Sequence, residues 1–517
     1  MSVVQHSPRG SLARAISALT LVAAAGCSGA EPPPAVIDEV PHAPSVRPTD
    51  VVLFVVDTLR ADRLGMYGYE RPTSPRLDAL AAGGTRFADV TSQCSWTQPS
   101  MASMVSGRYL TTQIYAPEAD AVNLAQAFSE AGYATLGFSA NILLTDRSGF
   151  GRGFDHYDAR PSRRSSDEIL AARESDELLE DAWPVIEEVL QDPDRPPLLL
   201  YIQTFEPHSP YREQRQWLDE LPVDAQRIEA DTRPLRELFR DLTEGQGRPA
   251  RGWTSDWANI GDGRARYERE VRETDRILGD LVDRLRATGL AEDATFALVA
   301  DHGEGLWERP TPLPEDAPAS MHRPTHFLYQ EHGAHLAPEV LFTPMVLWGA
   351  RVPAGLVVEQ PVENIDLYPT LLALNGIERP AGLDGRDLFA GESAPRPFAF
   401  SVSLRGERVR ELATDLALIR VHPDRVVPGI RLYDRAVDPH ERVDLADQRP
   451  EDVARLVAAL DAWRAENPTV DPQSEGLDSD QLEALQALGY GEFQIGARAG
   501  GGAADAPADP TADDGPP

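Results

Sequence analysis

Four side chains in this sequence have the chemistry to hold one divalent cation together: Asp57, Thr97, Asp301 and His302. Two carboxylates, an imidazole and a hydroxyl form a mixed oxygen and nitrogen set. Such a set suits manganese, zinc or magnesium better than calcium, whose ligands are usually all oxygen. Thr97 stands in the run SWTQPSMASMVSGR, Ser95 to Arg108, which predicts a turn feeding a helix. Pro99 is tolerated in a first helical turn because its missing N–H would have had no intrahelical acceptor, and Gly107 suits the C-terminal stop. Thr97 then lies at or just before a helix N-terminus, where backbone N–H groups and the helix dipole favour negative charge. A hydroxyl held there is placed to attack an anionic ester, or to bind a metal beside one. Each residue also has a structural alternative. Thr97 is a good N-cap, Asp57 and Asp301 can cap the turns that follow them, and His302 alone can be a satisfied core histidine.

The elements that must position these groups follow from the hydropathy pattern. VVLFVV, at 51–56, is a continuous β-favouring run of the kind that forms a parallel strand buried on both faces, and it stops at Asp57. Further strands are expected at 85–90, 134–139, 198–202, 295–300 and 340–348, with helices at 72–84, 123–132, 167–190 and 266–288 between them. Strands alternating with helices predict a mostly parallel sheet sandwiched by helices. Asp57, Asp301-His302 and His208 each fall at or just past the carboxyl end of a strand, and Thr97 follows another. In open α/β sheets ligands bind at that edge, so residues remote in sequence can share one crevice. Asn141, ending the strand at 134–139, is a further candidate for a substrate contact. From residue 396 onward the pattern changes to short alternating runs at 398–404 and 412–421 and a helix at 453–466, which fits a small antiparallel sheet with a covering helix.

The chain has 517 residues, with 49 basic against 83 acidic side chains and a formal net charge of -34, which argues against nucleic acid as a partner. It has no lysine, so every basic side chain other than histidine is arginine. Arg9 and Arg14 precede an Ala-rich apolar run, 15–25, too short for a membrane span and flanked like an export signal. The AAGC ending at Cys27 resembles the lipobox of bacterial lipoproteins, so Cys27 is expected to carry a lipid and to be the only membrane attachment. The Pro-rich stretch 31–48 reads as a tether. With Cys27 acylated, Cys94 has no disulfide partner. Beside Thr97 it invites a catalytic reading, set against that of a small buried apolar residue.

The segments VVLFVVDTLRADRLGMYGY, SWTQPSMASMVSGRYL, TFEPHSPY, ATFALVADHGEG and HGAHLAPEVLFTPMVLWG resemble, in order, the motifs of the sulfatase family within the alkaline phosphatase superfamily. NIDLYPTLLALNGI resembles the family's helix after the last core strand, and LYDRAVDPHERVDLAD its C-terminal domain. The resemblance implies that Asp57, Asp301 and His302 hold the metal and that Thr97, at the nucleophile position, also touches it. It further implies that His208 contacts the anionic group of the substrate and that His332 stabilises the leaving oxygen or the transferred group. Sulfatases carry Cys or Ser at the nucleophile position, in a C-x-P-S-R setting, and convert it to formylglycine. Here the residue is Thr97 and Met101 replaces the Arg. Threonine cannot become formylglycine, and the family's sulfate-binding lysines have no counterpart.

The expected organisation is a signal peptide over 1–26, a tether over 27–48 and a sulfatase-like catalytic domain over 49–394. Insertions interrupt that domain at about 209–262 and 306–329. A C-terminal subdomain follows over 395–467. An extension over 468–517 carries a short helix at 479–488 and ends in a disordered acidic tail. Two functions follow. One is an exported, membrane-anchored metalloenzyme that cleaves or transfers small phosphate or sulfate esters through Thr97. The other is a catalytically silent lipoprotein of the same fold that binds an anionic ligand.

Overall fold

The computed structural model describes residues 48–109, 121–146, 148–163, 172–222, 260–310, 328–333, 335–390, 395–403, 406–421 and 429–467. The expected signal, the tether, the helix at 479–488 and the acidic tail lie outside them, as do most of the two insertions.

The apolar run β1 (Val51–Val56) is fully buried and sits at the centre of an eight-stranded sheet. Alternate side chains of a strand point to opposite faces, and here each face is covered by three helices. Val52, Phe54 and Val56 meet α1 (Pro75–Ala81), α4 (Ser175–Gln191) and the long α5 (Ile260–Thr288). Val51, Leu53 and Val55 share the other core with α2 (Thr97–Ser106), α3 (Leu124–Glu130) and α7 (Leu367–Leu374). The other strands of this sheet are β2 (Gly84–Phe87), β4 (Ala134–Ser139), β5 (His156–Asp158), β6 (Leu198–Thr204), β7 (Thr295–Ala300), β10 (Met345–Trp348) and β11 (Leu356–Val358). Their order is β11-β2-β10-β7-β1-β6-β4-β5. β1 pairs in parallel with β6 on one side and β7 on the other, so Val56 lies level with Thr204 and Ala300. That register brings Asp57 and Asp301 out side by side at the same edge. Only β10 runs against its neighbours.

Several expected elements differ in extent. The strand at 85–90 is two pieces, β2 and the short β3 (Val90–Thr91), which pairs with β12 (Val362–Glu363) in a separate two-stranded sheet. The strand at 340–348 begins only at Met345. Pro338, favourable in a first helical turn, opens the single turn α6 (Pro338–Leu341) instead. The helix at 72–84 is limited to α1, with Pro75 in its first turn. The helix at 167–190 starts at Ser175, because Ala172 to Glu174 are extended or irregular, and 164–171 lie outside the described residues. The start of the second insertion is strand β8 (Gly305–Pro310), which pairs with β9 (Leu328–Glu331).

The C-terminal sheet is an antiparallel meander of β13 (Phe398–Val402), β14 (Gly406–Glu411), β15 (Leu416–Val421) and β16 (Gly429–Asp434). Helix α8 (Pro450–Glu466) covers it with Leu456, Leu460 and Trp463. Val402 N–H donates to Gln93 O at 2.8 Å, so the edge of this sheet is joined to the segment leading into Thr97.

One buried ion pair holds the strand ends next to the site. The Arg173 guanidinium is fully buried and donates to Asp158 Oδ2 at 3.0 Å, to Asp158 O at 2.9 Å and to Ser139 O at 2.8 Å. Burial pushes the Asp158 carboxyl up, but hydrogen bonds from Arg160 and Arg173 outweigh it and hold the group below its ordinary range. Arg173→Met leaves Asp158 to Arg160 alone and leaves Ser139 O and Asp158 O without this donor, and is expected to cost about 1–3 kcal/mol in urea unfolding at neutral pH. The folded carboxyl holds its proton less tightly than the unfolded one. Its contribution is therefore complete above the ordinary carboxylate range and is lost as the pH falls, and the parent's loss of stability on acidification should be shallower in the variant.

Candidate active site

The side chains at the ends of β1 and β7 converge on one point. Asp57, Asp301 and His302 are fully buried, and one ligand atom of each lies within 4.8 Å of the others. His302 Nε2 is 3.4 Å from Asp301 Oδ2 and 3.8 Å from Asp57 Oδ1. Its other nitrogen, Nδ1, donates to Gly303 O at 2.8 Å, which fixes the tautomer and leaves the Nε2 lone pair facing the carboxylates.

Each carboxylate uses one oxygen to hold structure and keeps the other free of protein partners. Asp301 Oδ1 accepts from His302 N–H at 2.8 Å and Thr58 N–H at 3.2 Å. Asp57 Oδ2 accepts from Asn141 Nδ2 at 2.7 Å. Asp57 Oδ1 and Asp301 Oδ2 are buried without a hydrogen-bond partner. Burial pushes both carboxyls up. Backbone N–H donors hold Asp301 back, while the charge of Asp301 adds to the upward push on Asp57. Burial pushes His302 down. Two orphaned carboxylate oxygens and an imidazole lone pair facing one point are what a divalent cation needs, so the donor set fits a metal. The structural alternative for Asp301 thus holds for one oxygen, and the other is open to a ligand.

Thr97 is the first residue of α2. The N-cap is Trp96, in extended conformation, so the capping alternative for Thr97 does not apply. The Thr97 hydroxyl instead lies 3.2 Å from His302 Nε2. At the far end Gly107 takes the left-handed conformation, φ 64°, and its N–H closes on Ser103 O. The N-terminus of α2 is therefore aimed at the metal site. Met101, where the family has Arg, is buried in the apolar core under that helix.

His208 and His332 complete the cluster. The His332 ring is 4.4 Å from that of His302 and 4.8 Å from that of His208. His208 Nδ1 donates to Ser209 O at 2.5 Å, and its ring stacks on Phe205. Burial pushes His208 down to about 4 and His332 down to about 3. All seven residues singled out in the sequence therefore meet. For Asn141, the contact found is with Asp57.

Other candidates fall elsewhere. Cys94 is buried, burial pushes its thiol up to about 12, and it behaves as an apolar core residue. Arg60 braces the site: it donates to Glu304 O at 2.9 Å and pairs with Asp62. Arg108 lies at the C-terminal end of α2, against Gly382. Glu206 accepts from Ser175 N–H. His335 accepts from Ala337 N–H at 3.4 Å. His322 and His326, which invite a second metal, and the arginine-rich run of Arg233, Arg236, Arg240, Arg248 and Arg251, which could steer an anionic substrate or form a solvated helix face, lie outside the described residues.

Sequence reasoning missed the supports. Ser92 and Ser100 hydroxyls each donate to Asp301 O at 2.6 Å, and Asn364 Nδ2 donates to Ala300 O at 2.9 Å. Tyr267, on α5, donates to Thr58 O at 2.8 Å and accepts from Arg60 N–H at 3.0 Å. Thr58 itself is left-handed, φ 56°, a conformation costly for a β-branched residue and kept by these contacts. Glu304, whose carboxylate meets His332 Nδ1 at 3.1 Å, was also missed. Its only signal was its place two residues beyond His302.

Comparison with known proteins gives the same frame. The sequence profile of the sulfatase family matches residues 49–377. A sulfatase of Formosa agariphila is 22% identical over 448 residues, covering 77% of this chain and 83% of that protein. The N-acetylgalactosamine-6-sulfatase of Canis lupus familiaris is 24% identical over 408 residues, covering 73% and 72%. Among solved structures, the phosphonate monoester hydrolase of Silicibacter pomeroyi has a TM-score of 0.59 at 21% identity, covering 81% of this chain and 96% of that one, a likeness of fold.

Two measurements test the site. Metal bound to the native state alone should raise the melting free energy by about 2.7 kcal/mol at a hundred times its Kd, seen as a Tm increase on adding Mn, Zn or Mg to chelated protein. Asp57→Asn should abolish that increase while the metal-free variant melts no lower than the metal-free parent, since one of two facing buried charges is gone. Separately, a Cβ on Gly303 would meet Glu339 O at 2.1 Å, a backbone atom. Gly303→Ala is therefore expected to displace His302 and lower bound metal, read by elemental analysis.

Proposed function

The chain belongs to the sulfatase family, and we propose that it is a metal-dependent enzyme in which the Thr97 hydroxyl, not a formylglycine, attacks the ester. As a family member it is a hydrolase acting on sulfate or phosphate esters. The observation that carries the Thr97 reading is the position of its hydroxyl, 3.2 Å from His302 Nε2 at the N-terminus of α2.

Asp57, Asp301 and His302 would hold the cation, with Thr97 as a further ligand. Manganese, zinc and magnesium fit the donor set better than calcium. When bound, such a cation lowers the pKa of a coordinated hydroxyl and neutralises charge on the substrate. Thr97 attacks sulfur or phosphorus in line, which forms a covalent Thr97 ester and expels the leaving oxygen. The first N–H groups of α2 and the imidazoles of His208 and His332 stabilise charge on the transferred group. Asn141 holds Asp57 in place and is close enough to the cluster to meet the substrate as well. Water then cleaves the Thr97 ester, giving hydrolysis. An alcohol in its place would give transfer.

The test is a panel of aryl sulfate, aryl phosphate, phosphodiester and phosphonate monoester substrates with added metal. Thr97→Ala should lose about 10^3-fold or more in kcat on whichever ester the parent cleaves. Equal rates for variant and parent would favour the silent, ligand-binding alternative. Mass analysis of the peptide spanning Thr97 should give the unmodified threonine mass.

We further propose export and lipid attachment at Cys27, supported by the Arg9 and Arg14 flank, the apolar run and the AAGC sequence. Cys27→Ser should abolish labelling by radioactive palmitate and move the protein from the membrane to the soluble fraction. Membrane retention without label would overturn the attachment.

A further inference from the structure

A buried carboxylate lies behind the His332 imidazole and has no part in the reaction as set out above. Glu304 follows the Asp301-His302-Gly303 turn, and its side chain is fully buried. Its Oε1 lies 3.1 Å from His332 Nδ1, and the His332 side chain is itself only 2% exposed. The pair spans two chain segments, since Glu304 precedes β8 and His332 follows β9.

Glu304 is anchored through its backbone, and tyrosines flank its side chain. Arg60 donates to Glu304 O at 2.9 Å, which fixes the backbone. The Tyr211 hydroxyl lies beside the carboxylate. The Tyr211 ring packs edge-on against Tyr267 at 5.5 Å, and the Tyr267 hydroxyl donates to Thr58 O next to Asp57. A carboxylate fixed in this way selects the His332 tautomer with hydrogen on Nδ1. The other nitrogen, Nε2, is left to exchange a proton in the cluster formed with His302 and His208.

We propose that Glu304 is a positioning residue for the ester reaction: by accepting the Nδ1–H of His332 it orients the imidazole, so that His332 Nε2 carries the proton to the leaving oxygen. This rests on the reading of Thr97 as nucleophile. The balance closes over two steps. In the first, the Thr97 oxygen forms a bond to sulfur or phosphorus, the bond to the leaving oxygen breaks, and the proton lost by Thr97 reaches that oxygen through His332 Nε2. In the second, water adds, the Thr97 ester bond breaks, and His332 returns a proton from the water to Thr97. Nδ1 keeps its hydrogen, donated to Glu304, in both. A carboxylate that orients an imidazole acts through that imidazole alone, so its effect depends on how much the leaving group needs a proton.

The experiment compares paired substrates on the full-length, metal-loaded protein: phenyl and 4-nitrophenyl sulfate, and the matching phenyl and 4-nitrophenyl phenylphosphonates. Glu304→Ala is expected to lower kcat about 10^2-fold on the phenyl ester, with KM and bound metal near the parent's, and only a few-fold on the 4-nitrophenyl ester. His332→Ala should show the same dependence, and the double variant should be no slower than His332→Ala alone. Should Glu304→Ala fail to fold, Glu304→Gln answers the same question, since its amide oxygen can accept the Nδ1–H without the charge. It should lose about tenfold on the phenyl ester and little on the 4-nitrophenyl ester. Equal losses on both esters, or losses that add to those of His332→Ala, would overturn the proposal and leave the Thr97 reading standing. A parent inactive on every pair would remove that reading and this one with it.

Discussion

Two buried carboxylates that face each other are the constraint around which this protein is built. Asp57 and Asp301 are fully buried, and each keeps one oxygen free of any protein partner. Two like charges about 4 Å apart repel by about 4 kcal/mol at an effective dielectric of 20, before the cost of removing either from water. A fold optimised for stability alone would place neither residue there. The arrangement is intelligible as a seat for a cation, whose charge converts repulsion into attraction. The hydrogen bonds to Asp57 Oδ2 and Asp301 Oδ1 keep the other two oxygens aimed at that seat.

The sheet makes the pairing inevitable once its register is set. β1 lies between β6 and β7, and all three run in the same direction and end level with one another. Residues just past those ends must then meet at one edge. Helix α2 adds its N-terminus to the same edge, and the tight turn at Gly303 brings His302 round to face the two carboxylates. Behind this layer, Tyr267, Arg60 and the Ser92, Ser100 and Asn364 donors satisfy the backbone of the turns. The positive φ of Thr58 is tolerated because these contacts over-determine it. Rigidity here suits the proposed role of Thr97, since an attacking hydroxyl must be held close to its line of attack.

The departures from the family pattern form a consistent set. With Thr97 at the nucleophile position, the modification chemistry of sulfatases proper has no substrate. With Met101 buried in the core under α2, the helix offers no arginine at that position. The chain has no lysine at all. In the function proposed above, charge on a bound ester is left to the cation, the helix N-terminus and the imidazoles. His302 and His208, with rings 4.4 and 4.8 Å from that of His332, and His332 itself each have Nδ1 tied to a carbonyl or carboxylate, and together they supply a compact polar wall for that task.

The amino-acid sequence by itself determined the sheet, its flanking helices and which residues meet at the candidate metal site. Buried strands read as unbroken apolar runs, and a polar residue that ends such a run marks the edge where ligands bind. Asp57, Asp301 and His302 were legible for that reason, and Thr97 through the turn, Pro99 and Gly107 around it. Element limits were less legible, because Pro338 and the breaks after Phe87 and before Ser175 are settled by packing rather than by local pattern. The supporting shell was decided only by tertiary structure. Glu304, Ser92, Ser100, Tyr267 and Asn364 act through contacts between segments up to hundreds of residues apart, and polar residues of their kind are common on any surface. Their role is set by which backbone carbonyl or imidazole they happen to face, and no spacing along the chain encodes a direction in space. The same holds for the two oxygens of Asp301, one structural and one free: the sequence names the carboxylate, and the fold alone assigns its atoms.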